Sequence, residues 1–504
     1  MKTPRIHLII LILGLLHAHQ LWSVANQATK KDWPIIVRKG DQLYEGDKVF
    51  RFLSFAAPNI QQNESQIRKD RGNRFPDEYE IRDILDALQR MGGRVTRTFS
   101  LSVYSPADSG MPVYITARRT YNEEAFRCLD RIIALCHEYD VRLIIPFIAS
   151  QSFPGIRGVD EFSALAGKPK GSFWTDEEQK EDFKHLLNFI LNRKNTVNGL
   201  LYKEDPAILA WQLGNEFGSY YWDRGLDPKE WEPKILAWSL EMAEYIKKND
   251  PNHLVMEAGG CDKLALINDK NIDIISEHLY EYWNKVSGKP WLLSPYALET
   301  WNLCKGKKVL MIDEFGLATF ENTQALIKTI IDETNIAGGL IWSIRGHRRD
   351  GGWYYHNEGG TPINSFHYPG FAAGFVYQES RFIELMKKEA ARLNHSNIVE
   401  KKPSCAPILF RQNDGFTWRG ATGAAFYVIE RAENPSGPWT VLATGLHDSV
   451  IQDVAKYEHT PEASEPTILY YDETKIKGKK YYYRIKGVNT AGESDYSPVL
   501  EITW

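Results

Sequence analysis

The 504-residue sequence is poor in cysteine, in net charge and in long apolar segments. Its five cysteines are odd in number and widely scattered, which excludes a disulfide framework, and none of their spacings is typical of a zinc site. The formal net charge is only −4, which argues against a nucleic acid or an anionic membrane as the main partner. Beyond the N-terminal region, no apolar stretch approaches the ~18 residues that span a bilayer. The fold must therefore rely on hydrophobic cores.

The N-terminal region has the pattern of a secretory signal peptide. Lys2 and Arg5 give it a positive start, and Leu8–Leu16 is an apolar run too short to cross a bilayer. Small residues at Ser23–Ala25 have the spacing of a cleavage site. We therefore predict a signal peptide over residues 1–25 and a secreted protein, periplasmic or extracellular, with no membrane insertion after cleavage. An uncleaved membrane anchor is the alternative.

Aromatic residues are the class in excess. The chain has 15 Trp, 25 Tyr and 22 Phe, or 12% in all. Large rings can fill a core, and they can also stack on flat ligands. Composition alone leaves both explanations open.

Residues 31–400 alternate apolar runs with amphipathic helical segments, which predicts a (β/α)8 TIM barrel. A doubly wound sheet is the alternative, but no glycine-rich phosphate loop follows the first run. The eight predicted strands are Val49–Ala57, Arg94–Phe99, Val141–Ile148, Ile208–Leu213, His253–Ala258, Ile272–His278, Lys308–Ile312 and Gly339–Ile344. The predicted helices include Tyr79–Met91, Glu123–Tyr139, Asp176–Arg193, Pro233–Lys248 and Thr323–Asn335.

Residues 405–504 change to short alternating strands, which predicts a small all-β sandwich after a linker near Lys401–Ser404. This segment resembles a fibronectin type III domain in Trp418, in Tyr427–Arg431 and in Tyr483–Gly492. Trp418 and the tyrosines at 481–483 are expected in the sandwich core. A carbohydrate-binding surface in this region is the alternative.

Two glutamates follow the fourth and seventh predicted strands, at the barrel end where active sites lie. Glu216 ends the run Trp-Gln-Leu-Gly-Asn-Glu, and Glu314 ends the run Met-Ile-Asp-Glu. Two carboxyl groups facing each other across a barrel can hydrolyse a glycosidic bond, with retention at about 5–5.5 Å separation and inversion at about 6.5–9.5 Å. Taken singly, each glutamate could equally be a buried ion-pair partner.

The other strand ends carry polar and aromatic residues that suit a sugar site. An arginine there can hold a carboxylate ionised, an amide can donate to a sugar hydroxyl, and a tryptophan can stack on a sugar ring. The residues in question are Arg97, Asn215, His278, Tyr280 and Trp342. Packing alone does not explain so many of them at one end of the barrel.

In these motifs residues 35–395 resemble glycoside hydrolase family 5. The resemblance implies that Glu216 is the acid/base and Glu314 the nucleophile of a retaining mechanism that needs no metal and no cofactor. It also implies that Arg97 and Tyr280 contact the nucleophile. His278 and Asn215 would then contact the sugar, and Trp342 would form its stacking platform.

The stretch from Arg193 to Glu216 is similar to the same stretch in endo-β-1,4-mannanases, which implies a β-mannan polysaccharide or oligosaccharide as the partner. Phe217 departs from the usual Asn-Glu-Pro, Gln212 stands where Glu is common, and Glu277 adds a carboxylate beside His278. These departures leave a β-glucan-active relative open. A non-catalytic carbohydrate-binding or adhesion protein is the alternative of another class.

The segment after the eighth strand, residues 347–360, is long and rich in charge and rings. A loop there could close one end of the cleft, which would favour an exo-β-mannosidase over an endo-acting enzyme. His347 and His356 lie in it, but no carboxylate spacing supports a metal site. Further aromatic candidates for the cleft are Tyr220, Tyr221, Trp222, Trp283, Trp353 and Tyr354.

Overall fold

The structure, a computed structural model, describes residues 33–63, 74–108, 110–281, 291–354, 356, 365–370, 379–448 and 468–504. The predicted signal peptide, Trp283 and part of the segment after the eighth strand lie outside the described residues. Within these ranges no helix combines the length and the apolar character needed to cross a membrane.

Eight parallel strands form the central sheet, and each lies within or overlaps one predicted apolar run. Three antiparallel strands come first: β1 (Ile36–Lys39), β2 (Gln42–Glu45) and β3 (Lys48–Phe50). The next are β4 (Phe52–Phe55), β5 (Val95–Arg97), a hairpin of β6 (Ile115–Ala117) and β7 (Thr120–Tyr121), β8 (Arg142–Pro146), β9 (Ile208–Gln212), β10 (Leu254–Met256), β11 (Ile274–Tyr280), β12 (Val309–Gly316) and β13 (Gly338–Trp342).

The order of the central sheet is that of a barrel. The strands lie side by side in the order β4-β13-β12-β11-β10-β9-β8-β5. Neighbours in the sheet are thus consecutive barrel strands along the chain, except that the first, β4, lies beside the last, β13. The two outer strands, β4 and β5, also approach each other. The amide of Ala57, just after β4, donates to the carbonyl of Arg97 at the end of β5, at 2.9 Å. The sheet is therefore a nearly closed barrel, which confirms the predicted (β/α)8 fold and excludes the doubly wound alternative.

Helices separate the barrel strands. They are α1 (Glu78–Arg90), α2 (Glu123–Tyr139), α3 (Val159–Leu165), α4 (Glu177–Leu191), α5 (Ser219–Trp222), α6 (Pro228–Asn249), α7 (Lys263–Asn268), α8 (Leu293–Cys304), α9 (Phe320–Lys328) and α10 (Glu379–Leu393). A π-helical turn at Thr329–Glu333 continues α9, and short 3₁₀ turns lie at Pro58–Ile60, Pro106–Asp108, Ser172–Trp174 and Tyr202–Glu204. The five predicted helices are all present within a few residues of their expected bounds.

Helix α6 begins five residues before its predicted start. The side chain of Asp227 caps the helix by accepting from the amide of Lys229, and Pro228 occupies the first turn, where no N–H is needed. Pro233 therefore lies inside the helix rather than at its beginning. A proline near the N-terminus of a helix removes only one backbone hydrogen bond, and the stabilisation from the Asp227 cap offsets that loss.

Strands β1–β3 close the amino-terminal end of the barrel. Ile36, Leu43 and Phe50 belong to the same buried cluster as Val95 and Val309, which are the first residues of two barrel strands. The opposite, carboxyl-terminal end of the barrel is therefore the end that remains for a site, as the fold requires.

The C-terminal β region is built from antiparallel strands with an aromatic core. Its strands are β14 (Ile408–Gln412), β15 (Gly415–Arg419), β16 (Phe426–Ala432), β17 (Thr440–Leu446), β18 (Lys480–Asn489), β19 (Gly492–Glu493) and β20 (Leu500–Thr503). β14 and β15 pair with each other, and the other five form a second sheet. Trp418, Tyr481 and Tyr483 are buried between them, as predicted, while Tyr482 is only partly buried.

The C-terminal β region packs directly on the barrel. Arg90 of α1 donates to the carbonyls of Lys401 and Lys402, and the Tyr79 hydroxyl donates to the carbonyl of Gly420. Residues 35–504 form one compact unit. The expected division near residue 402, with a fibronectin type III-like domain after it, stays a prediction.

Candidate active site

The seven candidate residues lie at the carboxyl-terminal ends of five barrel strands. Arg97 ends β5, and Asn215 with Glu216 follows β9. His278 and Tyr280 end β11, Glu314 lies near the end of β12, and Trp342 ends β13. In the register of the sheet, His278 is paired with Glu314.

Arg97 connects three of the polar groups at this end of the barrel. Its side chain is fully buried, and its Nη1 donates to Oε1 of Glu314 at 2.5 Å. Nη2 donates to Oδ1 of Asn215 at 2.8 Å, and Nε donates to Oε1 of Gln212 at 2.6 Å. The planar guanidinium therefore fixes the carboxylate of Glu314 and the amide of Asn215 relative to each other.

Glu216 and Glu314 face each other at close range. One carboxylate oxygen of each and a ring nitrogen of His278 all lie within 4.8 Å of one another. The side chain of Glu314 is 5% exposed and accepts from the Tyr280 hydroxyl, whereas that of Glu216 is 34% exposed and accepts from the Gln151 amide. One carboxylate is therefore held inside the barrel, and the other lies at its opening.

His278 connects the two carboxylates to a third acid. Its Nδ1 lies 2.7 Å from Oε1 of Glu216 and 3.3 Å from Oε2 of Glu314, while its Nε2 lies 3.3 Å from Oδ2 of Asp313. Asp313 is fully buried and also accepts from the Ser276 hydroxyl at 2.5 Å. The imidazole is thus fixed from both sides.

The pKa values of these groups depend on one another. Burial raises the pKa of Glu314, although the charges of His278 and Arg97 oppose that rise. Burial acts on Glu216 as well, but the hydrogen bond and the charge of His278 outweigh it and lower the pKa of Glu216. Burial would lower the pKa of His278, but the charges of Glu314 and Asp313 raise it well above its usual range. The surrounding carboxylates therefore favour the protonated form of His278.

The backbone at Glu216 turns sharply to present its side chain. Glu216 has a φ of 50°, a left-handed conformation that few non-glycine residues adopt. The Ser150 hydroxyl donates to the carbonyl of Glu216 at 2.6 Å and holds this turn. The following loop packs on the loop after β10, where a Cβ on Gly260 would lie 2.3 Å from the Cα of Gly218. Only glycines allow this approach.

The predicted aromatic candidates divide by exposure. Trp342 is 6% exposed and packs with Phe99 and His356, at ring-centroid distances of 6.0 Å in both cases. Tyr220 and Tyr221 are buried, whereas Trp222 is 68% exposed. Tyr220 and Tyr221 are therefore packing residues, and Trp222 offers a free ring face beside the loop that carries Glu216.

Several polar residues of the site were not among the candidates. Asp313 contacts His278 and accepts from Ser276, Gln212 bridges Arg97 and Asp313, and Gln151 donates to Glu216. A signal was available, because Asp313 and Ser276 are polar residues inside buried strands. Gln212, a departure from the family pattern, is buried and satisfied on both ends of its amide.

The remaining carboxylates and histidines have other partners. Glu277 forms an ion pair with Lys263 and accepts from Thr300, so it is not a third acid of the site. Glu257 is buried and accepts from backbone amides, and burial raises its pKa to about 7 although those hydrogen bonds oppose the rise. His347 lies between Asp83 and Asp448. Among the described residues, the group of Glu216, His278 and Glu314 is the cluster whose spacing could hold a metal ion.

Comparisons with known proteins agree with this architecture. Residues 144–290 match the family model "GH family 5 beta-mannosidase-like", and this stretch contains Asn215, Glu216, His278 and Tyr280. Mannan endo-1,4-beta-mannosidase 7 of Arabidopsis thaliana is 34% identical over 174 residues, which cover 34% of this chain and 37% of that protein. Mannan endo-1,4-beta-mannosidase 5 of the same plant is 27% identical over 308 residues, covering 52% and 70%.

A solved structure shows the same fold. The glycoside hydrolase family 5 mannosidase from Rhizomucor miehei superposes with a TM-score of 0.55 at 18% identity, covering 72% of this chain and 98% of that one. The match to the first Arabidopsis relative spans only about a third of that relative's length, 37%. The central part of this chain is thus similar to family 5 β-mannosidase-like proteins, and its barrel has their fold.

Proposed function

We propose that this protein is a secreted retaining glycoside hydrolase that cleaves β-1,4-mannosidic bonds in mannan-type polysaccharides. The observation that carries the proposal is the approach of Glu216 and Glu314, with carboxylate oxygens within 4.8 Å of each other. A retaining pair needs about 5–5.5 Å, and an inverting pair needs room for a water at about 6.5–9.5 Å. The mannanase relatives support mannan as the substrate.

In this mechanism the two glutamates act in sequence. The carboxylate of Glu314 attacks the anomeric carbon while the carboxylic acid of Glu216 protonates the leaving glycosidic oxygen, so a glycosyl ester forms and the bond to the leaving sugar breaks. Glu216, now ionised, takes a proton from water as the water attacks the same carbon. The ester bond breaks, Glu314 is released as a carboxylate, and the product keeps its anomeric configuration.

The hydrogen-bond donors support these roles for the two carboxylates. Glu314 accepts from the cation Arg97 and from Tyr280, and both contacts favour its ionised form. Glu216 lies at the opening, where a leaving group and a water can reach it. The pKa directions in the protein alone are the reverse, because charged His278 bonds to Glu216 and lowers its pKa. A sugar hydroxyl that takes over the His278 hydrogen bond would remove the hydrogen-bond contribution to that lowering of the Glu216 pKa.

Three further residues hold the sugar in this proposal. The carbonyl oxygen of Asn215 is occupied by Arg97, so its NH₂ group is the side that donates to a sugar hydroxyl. His278 contacts the same sugar, and Trp342 stacks on it. The reaction uses no metal and no cofactor, although two carboxylates and an imidazole can also bind a divalent ion. Equal turnover with and without EDTA is expected, and a loss restored by one added metal would contradict the metal-free mechanism.

Exo-β-mannosidase activity is the second candidate. It is favoured by the family model, described as beta-mannosidase-like. The two activities differ in product size on mannan and on mannohexaose. An endo-acting enzyme gives oligosaccharides from the first time point, whereas an exo-acting enzyme gives only mannose. Cleavage of β-glucans without cleavage of mannans would contradict mannose specificity, and binding without cleavage would indicate the non-catalytic alternative.

Stereochemistry and chemical rescue test the roles of the glutamates. NMR of the first product should show the β anomer, and an α anomer would contradict retention. The Glu216→Ala variant should still form the glycosyl enzyme from 4-nitrophenyl β-mannoside, because that leaving group needs little protonation. Azide should then release it as the β-mannosyl azide. Release of the α-mannosyl azide would instead identify Glu216 as the nucleophile.

A further inference from the structure

The segment after β13 is fixed by the C-terminal β region through a buried cluster. His347 pairs with Trp353 as a short antiparallel hairpin, and its ring stacks on the indole at a centroid distance of 3.4 Å. We call residues 347–353 the β13 hairpin. It begins five residues after Trp342, and His356, three residues beyond its end, packs edge-on against the Trp342 ring at 6.0 Å. The hairpin therefore lies in the chain between Trp342 and His356, the residue that packs on the Trp342 ring.

Asp448 of the C-terminal β region holds both ends of this hairpin. Its Oδ2 lies 2.9 Å from Nε2 of His347, and its Oδ1 accepts from Nε1 of Trp353 at 3.0 Å. The Tyr427 hydroxyl donates to Asp448 as well, at 2.7 Å. All four side chains are buried, and Asp448 is only 6% exposed. Removing this carboxylate would take away the acceptor of the ring N–H groups at both ends of the hairpin.

Other contacts show that the β13 hairpin packs closely against the C-terminal β region. A Cβ on Gly420 would lie 2.1 Å from Nε2 of His347, so only glycine lets the C-terminal β region approach the imidazole. The amide of Gly352 donates to the carbonyl of Trp418 at 3.2 Å. On the barrel side, Asp83 of α1 accepts from Nδ1 and from the amide of His347 at 2.8 and 2.7 Å. The hairpin is thus clamped between barrel and C-terminal β region.

We propose that Asp448 is a positioning residue for the sugar platform, holding Trp342 in place through the β13 hairpin and His356. The C-terminal β region then completes the active site instead of binding carbohydrate on a surface of its own. This inference rests on the proposed function, because the platform role of Trp342 belongs to it. Glu216 and Glu314 lie on other strands, so loss of Asp448 should weaken sugar binding more than chemistry.

The Asp448→Ala variant tests this inference against a matched control. Asp472 is another buried carboxylate of the C-terminal β region, and it accepts from Arg431, Tyr483 and Thr474 but from no residue of the hairpin. With mannotriose, well below both melting temperatures, Asp448→Ala should raise KM roughly 10-fold and change kcat little. Asp472→Ala should leave KM unchanged. An equal rise of KM in both variants, or no rise in Asp448→Ala, overturns the proposal.

A milder pair covers the case in which Asp448→Ala does not fold. Trp353→Phe keeps a ring against His347 but removes the N–H that donates to Asp448, and it should raise KM. Trp418→Phe removes a buried indole N–H that has no hydrogen-bond partner, and it should not raise KM. The reverse order of the two variants contradicts the proposal.

Hydrogen exchange separates this inference from the proposed function. Backbone amides of residues 343–354 should exchange at least roughly 10-fold faster in Asp448→Ala than in Asp472→Ala, whether or not the wild type hydrolyses mannan. Unchanged exchange in Asp448→Ala overturns the positioning role. An inactive wild type with the predicted exchange contradicts the proposed function and leaves the clamp itself supported.

Discussion

Two histidines in the described part of the chain each lie between carboxylates, and they serve different regions. His278 lies between Asp313 and the pair of Glu216 and Glu314, at the open end of the barrel. His347 lies between Asp83 and Asp448, where the C-terminal β region covers the barrel. Both have a raised pKa for the same reason, because negative neighbours outweigh burial.

Access separates the two clusters. Glu216 keeps a third of its side chain exposed, at 34%, whereas the side chains of Asp83 and Asp448 are 2% and 9% exposed. Every acceptor around His347 is used inside the protein, so nothing remains for a ligand. A perturbed pKa alone therefore does not identify a catalytic group, and an opening onto the carboxylate is needed as well.

The largest expected effect comes from replacing Glu314, in the cluster around His278 at the open end of the barrel. The Glu314→Gln variant should lose at least about 10³-fold in kcat on mannan, because an amide cannot form the glycosyl ester. Glu277→Gln is the control, since Glu277 contacts Lys263 and Thr300 rather than the pair. Steady-state rates on mannan decide the matter. A Glu314→Gln rate close to that of the control would remove Glu314 as the nucleophile.

The next largest effect concerns Arg97, whose guanidinium donates to several groups of the same cluster. Arg97→Lys should cost about 10²-fold in kcat/KM, because one ammonium cannot donate at once to Glu314, Asn215 and Gln212. Arg94→Lys is the control, since Arg94 pairs with Glu45 at the closed end of the barrel. Equal kcat/KM values for the two variants would show that the charge of Arg97 matters and its shape does not.

The buried cluster around His347 should contribute to the free energy of unfolding in a pH-dependent way. Burial lowers and Asp83 and Asp448 raise the pKa of His347, to about 9 from 6.5. The charged form is thus favoured on folding, so its contribution is complete below pH 6.5 and is lost as the pH rises through about 9. His347→Gln should therefore cost on the order of 3 kcal/mol at pH 6 and much less at pH 10.

Urea unfolding at pH 6 and pH 10 measures this difference. Trp418→Phe is the control, because its cost comes from packing and should be similar at both pH values. The pKa values of Asp83 and Asp448 are lowered, since His347 outweighs their burial, so the cluster also weakens in strong acid. A cost of His347→Gln that does not change with pH would contradict a charged imidazole in this cluster.

The smallest expected effect comes from Trp222, the exposed ring beside the loop that carries Glu216. Trp222 is 68% exposed, and stacking of a single sugar on it should change KM only about threefold for Trp222→Ala on mannohexaose. KM for mannobiose should change less, because a shorter substrate has fewer sugar units that can reach Trp222. Leu264→Ala is the control, since Leu264 is also exposed, at 52%, on α7. Equal effects on both substrates would show that Trp222 acts within the catalytic centre.

Much of the fold followed from local patterns in the sequence. The eight buried strands were recognisable because parallel barrel strands are apolar along their whole length. Helix α6 begins before the predicted Pro233, because Asp227 and Pro228 supply an earlier start signal. Strands β14 and β20 are harder to place from the sequence, because short, half-buried strands carry little periodic signal.

The site was predictable where function leaves unusual residues at strand ends. Arg97, Glu216 and Glu314 were found in this way, since charged residues there have no packing explanation. The supporting groups Gln151 and Asp313 were missed, because their role depends on partners more than 30 residues away. Tyr220 and Tyr221 could not be separated from Trp222, because neighbouring rings differ only in which way the chain turns.

By itself, the sequence determined the barrel, the identity of the acidic pair and the all-β character of the last hundred residues. Each of these is written in periodicity or in residue type at a predictable point of the fold. Only the tertiary structure decided the distance between Glu216 and Glu314, the joint hold of Arg97 on several groups, and the burial of Asp448 against the β13 hairpin. These depend on contacts between distant segments, whose geometry is set by the closure of the barrel and the packing of the C-terminal β region on it.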